Sequence, residues 1–180
     1  KEFSIKRYIQ SDITNNQKYF DRTSQENTRG GKSAKVAFYL DISGSMAHYD
    51  RIIHATDYLK SFYDTMHTHI DIRLFGFGQG TSVITRNELN LGFISPLLER
   101  STRIKFVKPL PKEQTIVITD GSFDNLIPND MLEKAYFVLI DADRNMLEQL
   151  SKAKHIIKVS SNDIVSGLEQ ATKSLREFIK

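Results

Sequence analysis

The sequence predicts a doubly wound α/β domain built on a mostly parallel central sheet. Three observations carry that prediction. Short apolar runs of strand length recur along the chain, helix-spaced apolar residues fall between them, and the runs end at aspartate or glycine. Strands that alternate with helices need crossover connections, and crossovers lay successive strands parallel.

Each element has its own signal. Val36-Ala37-Phe38-Tyr39-Leu40 is a continuous apolar run, as expected of a strand covered on both faces. Ile52, Ala55, Leu59, Phe62 and Met66 then recur every three or four residues and mark one face of a long helix. Ile70, Ile72, Leu74 and Phe75 give a second strand, which Gly76, Gly78 and Gly80 are expected to stop. Thr81-Ser82-Val83-Ile84 reads as a short edge strand and residues 94–100 as a short helix, with Pro109 and Pro111 closing that stretch. Thr115 to Thr119 and Tyr136 to Ile140 are further buried strands, Met146, Leu147 and Leu150 a short helix, and Ile156 to Val159 a last strand. Ser161-Asn162-Asp163 offers capping side chains. Ile164, Leu168, Ala171, Leu175 and Phe178 line the closing helix.

The 180 residues suit one domain, large enough to bury roughly 70% of its unfolded surface without a disulfide. Residues 1–33 are more polar and carry Gly30-Gly31 just before the first strand, so they are expected to form an extension or linker ahead of a domain spanning 34–180. The lack of cysteine excludes disulfides and thiolate zinc sites, and fits a cytoplasmic address. No apolar run reaches the roughly 18 residues of a membrane span. Net charge is +3, and the basic residues at Arg100, Arg103, Lys105, Lys108 and Lys112 read as a solvated face.

In parallel α/β sheets, ligands sit beyond the carboxyl ends of the strands, where strand order reverses. The residues expected there are Asp41, Gly76, Asp120 and Asp141. Asp41, Ser43 and Ser45 alternate on a tight loop whose turn Gly44 permits, so three oxygens can face one point. A hard divalent cation such as Mg²⁺ takes oxygen ligands in an octahedron and keeps some of its waters. The alternative is that the two serines cap the following helix.

Asp41-Ile42-Ser43-Gly44-Ser45-Met46, together with Thr119-Asp120-Gly121, resembles the von Willebrand factor A family and its metal-ion-dependent adhesion site. The resemblance covers about residues 34–180. It implies that Ser43, Ser45 and a threonine from a second loop hold the metal, while Asp41 and Asp120 act directly or through water. It implies Mg²⁺ first, with Mn²⁺ or Ca²⁺ as substitutes. It also implies a protein partner that completes the coordination with an Asp or Glu. The Gly-Ser-Met ending is similar to that of intracellular members, which often work beside an AAA+ ATPase of the MoxR type. The Gly-Gly-Thr common on the family's second loop is missing here. Thr102 lies about where the resemblance places that threonine, with a brief helix expected between it and Asp120, and Thr81 is the rival.

Other features read as structural. His67 and His69 lack further zinc ligands, and His48 reads as an exposed residue at the start of the helix. Asp141 and Asp143 read as a helix cap more readily than as a second cation site, and the Gly76–Gly80 segment is not a phosphate loop. Two other functions compete with the binding module. A metal-dependent phosphoryl-transfer hydrolase of the haloacid-dehalogenase kind needs a second Asp where this chain has Ser43. An RNA-binding role in a ribonucleoprotein needs aromatics interleaved with basic residues, whereas the aromatics here fall on predicted strands. No nucleophile–base pair is evident, so no enzymatic activity is expected.

Overall fold

The computed structural model describes residues 34–91 and 100–176. The N-terminal extension, the helix expected over 94–100 (save its last residue) and Phe178 lie outside the described residues.

Six strands form one sheet. β1 (Ala34–Asp41), β2 (Ile70–Phe77), β3 (Thr81–Val83), β4 (Glu113–Thr119), β5 (Tyr136–Ile140) and β6 (His155–Val159) stand in the order β3-β2-β1-β4-β5-β6. All neighbours are parallel except β3, which returns antiparallel along β2 at one edge. Strand order therefore reverses between β1 and β4, so the crevice rule points to the ends of those two strands.

Helices cover both faces, as the continuous apolar runs require. On one face lie α1 (Arg51–Met66), α2 (Arg86–Leu91) and α5 (Ile164–Arg176), packing Ile52, Leu59, Phe62, Leu89, Leu168 and Leu175 on Val36, Phe38, Leu40, Ile116 and Ile118. On the other, Leu132 of α3 (Asn129–Lys134) and Met146 of α4 (Arg144–Gln149) pack with Ala37, Tyr39, Phe75, Phe77, Val117 and Phe137. Of the aromatics predicted on strands, Phe38, Tyr39, Phe75 and Phe137 are buried and Tyr136 is half-buried.

Several local expectations are corrected. Gly76 does not stop β2. It lies inside the strand, where a Cβ would stand 3.3 Å from two side-chain carbons of Ile42, so glycine lets the β1–α1 loop pack onto the sheet. α2 and α3, each of six residues, are not predicted because neither spans two turns of apolar repeat. No helix lies between Thr102 and β4. Instead residues 104–110 run without helix or strand across the second face, where Phe106 packs at 5.1 Å from the ring of Tyr39 and the Val107 amide donates to the Tyr39 hydroxyl at 2.9 Å. Between β1 and α1 the chain winds a 3₁₀ segment, Gly44–Asp50. Tyr49 and Asp50 both take positive φ, so the regular helix starts at Arg51. The basic residues Arg100, Arg103, Lys105, Lys108 and Lys112 are exposed, as a solvated face should be.

Candidate metal centre

β1 ends at the first candidate ligand. The register pairs Leu40 with Ile118, which sets Asp41 alongside Thr119 at the ends of the two switch-point strands. The Asp41 carboxylate is fully buried. Its Oδ1 accepts the Ser43 amide at 2.8 Å and its Oδ2 accepts the Thr119 hydroxyl at 2.5 Å. Asp41 thus ties its own loop to β4 and holds Ser43 in place. Burial dominates its ionisation and raises its pKa to about 6, against the lowering effect of the bonds from Thr119 and Ser43, while the neighbouring Asp120 pushes the same way as burial.

The two serines face one another. Ser43 Oγ and Ser45 Oγ are 3.0 Å apart, and Ser45 Oγ donates to Asp120 Oδ1 at 2.8 Å. Ser43 makes no side-chain capping bond to the segment it precedes, which counts against the capping alternative. Met46, fully buried, anchors the far end of the loop. Asp120 follows β4 directly, and its side chain is enclosed.

The second loop comes close to the third. Asp124 accepts the Thr102 amide and the Ser101 hydroxyl, each at 2.8 Å, while Asn125 accepts the Ile104 amide and donates to the Ile104 carbonyl, each at 2.9 Å. The Thr102 amide, and after it the Ser101 hydroxyl, hold the Asp124 carboxyl below its ordinary pKa. Thr102 Oγ1 lies 3.7 Å from where a Gly121 side chain would begin, beside the Asp120–Gly121 turn. Thr81 sits on the edge strand, where its hydroxyl accepts the Lys105 amide at 2.8 Å. The structure therefore gathers Asp41, Ser43, Ser45 and Asp120 and sets Thr102 against the same turn. Thr81 is engaged elsewhere.

The donor set fits a hard cation. Two oxygens held side by side on one octahedral Mg²⁺ at about 2.1 Å stand about 3.0 Å apart, and the Ser43–Ser45 separation already matches. Among the described residues, no group of three or more histidines and carboxylates is arranged to hold a metal.

The roles of two residues on this edge are not legible in the sequence. Thr119 belongs to a motif, but its bond to Asp41 follows from strand register, which the sequence does not print. Arg51 carries no motif signal at all. Its guanidinium donates from Nη1 to Asp120 Oδ2, from Nη2 to Asp141 Oδ2 at 2.6 Å and from Nε to Ser161 Oγ at 2.9 Å. Asp141 is committed to Arg51 and to the amide and hydroxyl of Ser161, and the Ser161 hydroxyl leads the causes that lower its pKa. Asp143 caps α4 by accepting the Met146 amide at 2.8 Å, as expected. Ser161, expected to offer a cap, serves this network instead.

No protein-family model matches the sequence, and no curated protein is similar to it in sequence. Solved structures are similar in fold. The pilus adhesin SpaC from Lactobacillus rhamnosus GG superimposes with a TM-score of 0.60 over 83% of this chain and 31% of its own, at 13% identity. Proximal thread matrix protein 1 from the mussel byssus gives 0.54 over 77% of this chain and 46% of its own, at 17% identity. The same byssus protein, solved with a zinc-occupied adhesion-site motif, gives 0.53 at 16% identity. The chain spans less than half the length of either protein. It shares with these proteins a Rossmann-like α/β fold.

Proposed function

We propose that this chain is a protein-interaction module that binds a partner carboxylate through a divalent cation. Ser43, Ser45 and Thr102 hold the ion, and Asp41 and Asp120 hold it directly or through water. The observation that carries the reading is the run of oxygens from Ser43 to Ser45 to Asp120, at 3.0 and 2.8 Å, on the switch-point edge of the sheet. The zinc found at the corresponding motif of the byssus protein supports a divalent ion in general, and the all-oxygen donor set favours Mg²⁺ over a softer metal. When bound, the cation supplies an electrophilic position that an outside Asp or Glu can fill. This chain's residues do the rest: Thr119 orients Asp41, Asp41 fixes the Ser43 amide, and Asp124 steadies the backbone of Thr102.

The chemistry of the edge favours binding over catalysis. Both Asp41 oxygens are occupied by donors from the fold, and the position two residues on, where a phosphoryl-transfer enzyme of the haloacid-dehalogenase kind needs its acid, is Ser43. Calorimetric titration of Mg²⁺, Mn²⁺ and Ca²⁺ tests the reading. Wild type should bind one ion, and Ser43→Ala/Ser45→Ala should lose it while keeping a wild-type circular dichroism spectrum. Unfolding of that double variant would return the serines to a structural role.

The finer part of the proposal is the partner. Its carboxylate comes from the assembly of a MoxR-type AAA+ ATPase in the cytoplasm, by analogy with the intracellular members that the Gly44-Ser45-Met46 ending resembles. A chelator-sensitive complex with such an ATPase is expected in size-exclusion chromatography. Metal binding without that complex would shift the reading to an adhesion-type module.

A further inference from the structure

Arg51 has no part in the metal reading, yet its side chain bonds three residues on this edge. It opens α1, lies 11% exposed, and bonds residues following β4, β5 and β6 at once. The ring of Tyr49 stands 5.4 Å from its guanidinium carbon. Its bond divides the Asp120 carboxylate, with Oδ2 tied to the guanidinium and Oδ1 turned to Ser45.

Buried carboxylates at neighbouring strand ends repel one another unless a positive charge stands among them. Asp41 and Asp120 are such a pair, since they follow one another across the β1–β4 register and both side chains are enclosed. The positive charge bonded to Asp120 is that of Arg51. We infer that Arg51 is a resident counter-cation of the metal centre. It holds Asp120 and Asp141 together when no ion is present, and it opposes the ion electrostatically when one arrives. Asp141 moderates that opposition by sharing the guanidinium. Arg51 is thus a positioning residue that sets the metal affinity through Asp120. The inference rests on the metal reading above.

Two variants should move metal affinity in opposite directions. Arg51→Met keeps side-chain length and removes the charge. It should melt below wild type without metal, bind Mn²⁺ about tenfold more tightly, and regain much of the lost melting temperature at saturating Mn²⁺. Asp141→Asn is isosteric at a position with φ 49°, which asparagine tolerates. It leaves the guanidinium charge less shared and should weaken Mn²⁺ binding severalfold. A purely structural Arg51 would lower the melting temperature equally with and without metal and leave affinity unchanged or weaker, which overturns the inference while wild-type binding preserves the metal reading. If Arg51→Met does not fold, Asp141→Asn decides, and unchanged or tighter binding overturns the inference. Absence of Mn²⁺ binding in wild type overturns the metal reading and this inference together.

Discussion

Asp41 concentrates the conflict between folding and binding in one side chain. Its pKa is raised to about 6, chiefly by burial, from an ordinary value of 3.8. The folded metal-free protein therefore keeps a proton between about pH 4 and 6 that the unfolded chain has released. Stability from this group is full below pH 4 and is lost as pH rises through 6, by about 3 kcal/mol at most. A metal needs the carboxylate ionised, so its affinity should fall as pH drops through 6, approaching tenfold per unit. Asp41→Asn should flatten the loss of melting temperature between about pH 4.5 and 7.5 and abolish metal binding at both. An unchanged pH profile in thermal denaturation would mean that Asp41 is ionised throughout. The identity of this residue is legible because a strand-ending Asp followed by two alternating serines is a compact pattern. Its bond to Thr119 is not, because the chain separation is 78 residues and only the β1–β4 register closes it.

At the scale of elements, the long apolar patterns are readable and the short ones only in part: β3 and α4 are read, α2 and α3 are not. The sixteen residues of α1 repeat their buried face through Ile52, Ala55, Leu59, Phe62 and Met66, whereas six-residue helices show less than two turns of pattern. Gly167 shows what sequence hides inside a correctly predicted helix. A Cβ there would stand 2.5 Å from Val159 Cγ1 and 3.3 Å from Val138 Cγ1, so α5 rests directly on β5 and β6. Gly167→Ala should lose about 1–3 kcal/mol by overpacking, more than the roughly 1 kcal/mol gained in helix propensity, as chemical denaturation would report. Thr102 depends on a different device. Its loop is zipped to residues 124 and 125 where a helix was expected to position it, and the Asp124 side chain alone takes two of those bonds. Asp124→Ala should leave the fold intact and weaken Mn²⁺ binding about tenfold, since groups that orient ligands commonly matter that much. Calorimetry showing wild-type affinity would remove Thr102 from the ligand set or Asp124 from its support.

The whole molecule gathers its chemistry at one edge because of strand order. Reversal between β1 and β4 brings residues distant in sequence, from Asp41 to Ser161, to the same rim, and the α1 arginine bonds across it. The same order leaves the sheet with two unlike borders. One is β3, three residues long and antiparallel. The other is β6, five residues long and paired only with β5 among the described residues. A free outer strand of that length is a template on which a second chain can lay down its own backbone hydrogen bonds. The flanking Lys154 and the strand residues His155 and Lys158 are exposed, and charge along a border discourages such growth. Lys158→Val would join Ile156 and Ile157 to Val159 in an unbroken run of β-branched side chains, the composition that stacks most readily into intermolecular sheets. Light scattering on warming should then rise well before wild type, with the native secondary structure at low temperature unchanged. One lysine at the sheet's border would in that case decide whether the domain stays dispersed as its concentration rises.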